Sequence, residues 1–191
     1  MKTLKQHLFE ALRVKTGAKL SAKKTVVKTK KEFQDILKTK LLNAKDGVLN
    51  LNHITFENFN SFAGLFENVN LHKIKKINVF GWEMPDTTSF QNTFADLDQI
   101  EEIDGLRNWN VENIINFHRM FYNCKELKHI DGIENWNIDL SKVKVISYMF
   151  YNCVKLNIDI SSWGFYDSNG VLTTDLSLYN LYKNSGVKIK S

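Results

Sequence analysis

The sequence predicts an α/β solenoid, a stack of short strands and short helices closed at its start by a helix. Three observations predict it. All four tryptophans, Trp82, Trp109, Trp136 and Trp163, stand 27 residues apart, and fixed spacing on this scale marks units that stack on one another. Ahead of each tryptophan lies an apolar-x-x-apolar-aromatic motif. Between motif and tryptophan in the two middle copies, apolar residues recur at every third position.

The first 24 residues read as a basic arm. Residues 2–14 suit an amphipathic helix with Leu4, Leu8, Ala11 and Leu12 on one face. Residues 16–24 read as a basic linker around Gly17. Residues 25–60 read as a capping helix and a first strand. Thr29 and Glu32 form a Thr-x-x-Glu capping box, and Phe33, Ile36, Leu37 and Leu41 follow on one helical face. That helix is expected to cover the open end of the stack, which would otherwise expose apolar residues. Residues 48–56 lead into the array.

Residues 61–191 read as four repeats plus a terminal half-repeat. The motif copies are Phe62-x-x-Leu65-Phe66, Phe90-x-x-Thr93-Phe94, Phe117-x-x-Met120-Phe121, Ile146-x-x-Met149-Phe150 and Leu178-x-x-Leu181-Tyr182. Spacing of i, i+3, i+4 places three side chains on one face of a helical turn, so five short helices are expected. Asn68, Asp96, Asn123, Asn152 and Asn184 follow as their caps, because Asn and Asp tolerate the left-handed backbone that ends a helix. Leu97, Ile100, Ile103, Leu106 and Cys124, Leu127, Ile130, Ile133 then suit a short strand bending at Gly105 or Gly132. Met84, Val111, Ile138 and Phe165 each follow a tryptophan by two positions. The fourth repeat is two residues shorter than the third between its cysteine and its tryptophan.

The tryptophan column has two readings, a buried ladder or a stacking surface for sugars or bases. A core column must recur once per unit, so burial is expected. Each buried indole then removes roughly 150–250 Å² from water, on the order of 4–6 kcal/mol as an upper bound. Cys124 and Cys153 occupy equivalent positions, where the other repeats place Val69, Leu97 and Ser185. This fits a pair of buried apolar thiols rather than a disulfide.

The segments "NVENIINFHRMFYNCKELKHIDGIENWNI" and "VKVISYMFYNCVKLNIDISSWGF" resemble the BspA-type leucine-rich repeat family of bacterial proteins. The resemblance covers roughly residues 25–186. It implies a leucine-rich-repeat-like right-handed solenoid with a parallel sheet, a role in binding or adhesion, and no enzyme activity. The opening "MKTLKQHLFEALRVKTG" is similar to short targeting sequences on internal head proteins of tailed phages. On that likeness, Leu8, Phe9 and Glu10 form a processing site.

Charge is unevenly placed. Residues 1–45 hold 13 of the 26 basic side chains and 3 of the 21 acidic ones, so the remainder of the chain is acidic. Such an arm can meet nucleic acid, an acidic partner or a membrane surface, and nucleic acid through residues 1–45 is one candidate partner. No apolar run is long enough to span a bilayer. Glu10 and Arg13 interrupt any signal-peptide core, and a cytoplasmic or virion location is expected. The five histidines show no metal-ligand spacing, and no phosphate loop, nucleophile elbow or zinc signature occurs. A protein without cofactor or catalysis is expected, binding a protein partner through its strand face. The outward residues there are Lys73, Lys75 and Lys76, then Glu101, Glu102 and Asp104, then Lys128, His129 and Asp131, then Asn157 and Asp159. A virion-associated protein directed by its N-terminal helix is the alternative.

Overall fold

The computed structural model describes residues 24–190. The expected N-terminal amphipathic helix and the processing site Leu8, Phe9 and Glu10 lie outside these residues. The architecture is mixed α/β. Strand β1 (Thr25–Val27) precedes helix α1 (Lys30–Leu42), followed by β2 (Val48–Asn50), β3 (Ile54–Phe56), β4 (Lys76–Asn78), β5 (Glu102–Asp104) and β6 (His129–Ile130). Strands β1 and β3 pair in parallel, and β2, β4, β5 and β6 form a parallel sheet in that order.

The capping box sets the start of α1. Thr29 has extended backbone, and its hydroxyl accepts the Glu32 N–H at 3.1 Å. Glu32 reaches back to accept the Lys28 N–H at 2.7 Å. Phe33 and Leu37 are buried, with Ile36 and Leu41 partly so. The Phe33 ring meets Phe56, Phe66 and Trp82 at 5.6, 5.7 and 5.8 Å, so the helix closes the aromatic core at this end.

Alternation along the sheet fixes its two faces. Leu49, Ile77, Ile103 and Ile130 point inward and are buried. Val48, Lys76, Glu102 and His129 share one outward row. The strands stop at Gly105 and Gly132, which adopt φ of +102° and +70° and lead into short 3-10 turns, Leu106–Asn108 and Ile133–Asn135. At Gly105 a Cβ would lie 2.6 Å from the Phe80 backbone nitrogen. Only glycine satisfies both the angle and the approach. The fourth repeat adds no strand. Its shorter connection holds no counterpart of these glycines and passes directly to the 3-10 turn Ser161–Trp163.

The tryptophans are core. Their exposures are 4–5 %, and successive rings stack at 5.5, 6.4 and 6.1 Å with interplanar angles of 13°, 14° and 8°. A second column of Phe66, Phe94, Phe121 and Phe150 stacks at 5.3, 5.5 and 5.6 Å. Cys124 and Cys153 are free and fully buried. Their thiols donate to the carbonyls of Phe94 and Phe121 at 3.0 and 2.9 Å.

The five expected short helices are not helices. Asn68, Asp96, Asn123, Asn152 and Asn184 do adopt left-handed backbone, but so do Gly64, Asn92, Arg119, Tyr148 and Asn180, four residues earlier. A left-handed residue at every fourth position interrupts right-handed winding. The N–H groups turn instead to the next unit. Asn92, Phe94 and Asp96 donate to the carbonyls of His118, Met120 and Tyr122 at 3.0, 2.9 and 2.8 Å. Phe117, Arg119, Phe121 and Asn123 do the same toward Val145, Ser147, Met149 and Tyr151. The expected apolar residues are nonetheless buried through the first four copies. In the fifth, Tyr182 is exposed and Leu178 only partly covered.

Candidate interaction face

Alternation turns every second residue of β4, β5 and β6 outward, and the parallel register sets opposite charges side by side. Lys76 pairs in register with Glu102, and Asn78 with Asp104. The Lys76 ammonium lies 2.7 Å from Glu102 and 2.6 Å from Asp104. One position earlier, Glu101 lies between two lysines, Lys128 at 2.6 Å and Lys75 at 3.6 Å. His129 stands 4.0 Å from Asp104. Arg107 donates to Asp131 at 3.0 Å. Asn78 donates its side-chain amide to Asn50 at 2.6 Å on the same face.

These contacts set the ionisation of the face. The hydrogen bond from Lys128, then its charge, holds the Glu101 carboxyl below the usual range. The hydrogen bond from Lys76 does the same for Glu102, outweighing partial burial. For Lys76 burial is the largest single influence and lowers the value, but hydrogen bonds and charges from Asp104 and Glu102 together raise it. Glu101 raises Lys128.

Lys75, Glu101 and Lys128 therefore form one ion-pair cluster and Lys76, Glu102, Asp104 and His129 a second, and the charges of the two act on one another. Asp131 pairs separately with Arg107. Lys73 is exposed and enters no ion pair among the described residues. Asn157 and Asp159 lie in the strandless fourth repeat. Asp159 accepts the Ser161 N–H at 2.9 Å, and its carboxyl pKa is lowered by the Ser161 side chain first and by this backbone bond second. Sequence reasoning missed Arg107, whose rarity in a lysine-rich chain was the available signal. It also missed the row Asp96–Asn123–Asn152, in which each asparagine amide donates to the preceding side chain at 2.9 and 2.7 Å.

Some of the described lysines within residues 1–45 are also paired. Lys24 and Lys30 meet Glu83 and Glu67 of the array, and Lys28 meets Glu57 just before it. Among the described residues no helix is long and apolar enough to cross a membrane, and no three His, Cys, Asp or Glu side chains gather in a metal-binding group.

Fold and face together define a class: a mixed α/β protein with a parallel four-stranded sheet, short 3-10 turns and a buried aromatic cluster, showing a polar strand face. The chain belongs to the family described as Mycoplasma protein of unknown function, DUF285, whose model matches residues 50–179. No curated protein matches it, and neither does any solved structure.

Proposed function

We propose that the protein is a non-enzymatic binding module, a BspA-type leucine-rich-repeat-like right-handed solenoid that engages a protein partner through its strand face. Support for the repeat reading comes from the tryptophan and phenylalanine columns, which stack at about one ring per unit. The observation that carries the binding reading is the ordered outward patch around Lys76, Glu101, Glu102 and Lys128. Its side chains are held by one another across strands, so little rotamer freedom remains to be lost on association. An ordered mosaic of both signs favours selectivity over raw affinity.

The test is affinity capture with the full chain, followed by reconstitution with the purified partner. The wild type is expected to retain a defined protein, and the triple variant Glu101→Lys, Glu102→Lys, Lys128→Glu to lose it while keeping a cooperative melting transition. Retention by the triple variant removes the strand face as the site. Nucleic-acid binding through residues 1–45 would instead show steep salt dependence, and the pairing of Lys24, Lys28 and Lys30 with Glu83, Glu57 and Glu67 leaves fewer free cations for it.

A further inference from the structure

A second surface lies away from the strand face, on the turns that stack beside the phenylalanine column. The outer position after each of the four phenylalanines reads Glu67, Ala95, Tyr122 and Tyr151. Tyr122 and Tyr151 stack face to face at 5.3 Å and 12°. One unit before Tyr122 the row has only Ala95. The place that a third ring would take is open, and there the surface sinks into a depression of about 450 Å³ whose lining includes Ala95, Arg119 and Tyr122 and, at its rim, the carboxylates Glu67 and Asp96.

Arg119 stands at the edge of this gap. Its guanidinium lies 5.0 Å from the Tyr122 ring centroid and 5.3 Å from that of Tyr148. Among the described residues it meets no carboxylate, whereas Arg107 pairs with Asp131. The nearby acids are engaged: Glu67 with Lys30, and Asp96 with the Asn123 amide. The backbone adds an independent observation. Arg119 and Tyr148 adopt φ of +54° and +60° at a position where the other units use Gly64, Asn92 and Asn180. Left-handed backbone costs a residue with a full side chain on the order of 1 kcal/mol. At this position of the motif the chain accepts that cost at the two residues whose side chains meet around the guanidinium, and strain retained in this way points to function.

We infer that this gap is a docking site for an exposed aromatic side chain flanked by a carboxylate on a partner protein, the ring completing the tyrosine row above Ala95 and the carboxylate bonding Arg119. Ring spacing and charge both select this occupant. The gap sits one rung beyond a stack of rings, with the geometry that favours an offset aromatic pair. An unpaired, ring-supported guanidinium is a planar fork for a carboxylate. Tyrosine and arginine together are also the side chains that dominate binding energy in protein interfaces.

The experiment titrates the full ¹⁵N-labelled chain with a blocked Glu-Tyr-Glu peptide and follows the amide resonances of Ala95, Asp96 and Tyr122. Saturable shifts confined to these residues are expected. Replacing the peptide's tyrosine by alanine, or its glutamates by glutamine, should weaken binding about tenfold each. Ala95→Tyr supplies the missing ring from within and should abolish binding, and Arg119→Gln should weaken it about tenfold without moving the thermal transition downward. Unchanged binding by Ala95→Tyr overturns the proposal, as does the absence of shifts at millimolar peptide. Saturation of the same resonances by N-acetylneuraminic acid or uridine monophosphate, with none by the peptide, overturns it in favour of a glycan or nucleotide site.

Discussion

Trp136 donates its indole N–H to the carbonyl of Leu106, 30 residues earlier and 2.9 Å away. Trp82 and Trp163 make the corresponding bond to Leu51 and Ile133, but the buried indole N–H of Trp109 has no partner. The column is thus uniform in packing and uneven in hydrogen bonding. Trp136→Phe removes one of the two donors to the Leu106 carbonyl, which keeps the Trp109 backbone N–H at 3.0 Å, while Trp109→Phe removes a group already unsatisfied. Trp136→Phe should cost about 1–2 kcal/mol more than Trp109→Phe, read from chemical denaturation. Alanine at either site should cost about 3–5 kcal/mol, and a binding loss with an unchanged melting temperature would return the column to a surface role.

Gly105 and Gly164 both have left-handed backbone, at φ of +102° and +76°. Their surroundings differ. A Cβ on Gly105 would meet the Phe80 backbone at 2.6 Å, and one on Gly164 would meet nothing within 4 Å. Gly164→Ala should therefore show the backbone term alone, about 1 kcal/mol. Gly105→Ala must also push two chain segments apart and should cost about 3 kcal/mol or more. Equal melting temperatures for the two variants would mean that the sheet and its following turn separate more easily than their packing implies.

How much of this was legible in the sequence depends on what each residue type reports. Four tryptophans at one spacing are enough to expose a core column, because nothing else in the chain has that size. Ile103 and Ile130 beside glycines marked strands where β5 and β6 occur. The helices failed because i, i+3, i+4 spacing reports which side chains share a side, not how the backbone winds. The contrary signal was present in Gly64, Asn92 and Asn180, residues suited to left-handed backbone in the middle of each motif. The pairing of the strand-face charges was not legible. It depends on the register that sets Lys76 against Glu102, which the strands fix only once stacked. Likewise the open place at Ala95 exists only relative to the Tyr122 ring one unit on.

Asn123 serves both its own backbone and its neighbours. Its φ is +60°, its amide donates to Asp96 at 2.9 Å, and its carbonyl accepts from Asn152 at 2.7 Å. Glycine and alanine separate the two roles. Asn123→Gly keeps the left-handed turn and loses two partly exposed hydrogen bonds, a cost of about 1 kcal/mol. Asn123→Ala loses the bonds and strains the turn, about 2 kcal/mol. An alanine variant no less stable than the glycine variant would show that the turn tolerates right-handed backbone, against the left-handed angle seen in all five units.

The strand face should make stability depend on pH in a defined direction. Glu101 and Glu102 have carboxyl pKa values lowered in the fold by their lysine hydrogen bonds. A depressed folded value means that the unfolded chain binds the proton first. The contribution is therefore complete above the ordinary glutamate value of 4.5 and is lost as pH falls below it, through the folded values. Lys76 and Lys128 are raised above 10.5, so their share persists at neutral pH and disappears only as pH climbs past their folded values. The melting temperature should thus be level with respect to these groups from about pH 5 to 10 and fall on either side. Because the pairs are partly exposed, salt should lower the plateau slightly. Lys76→Met separates this face from other acid-sensitive groups. It removes the donor that depresses Glu102, so the acid limb should become shallower while the neutral plateau drops. An acid limb of unchanged slope in Lys76→Met would place the acid sensitivity elsewhere in the chain.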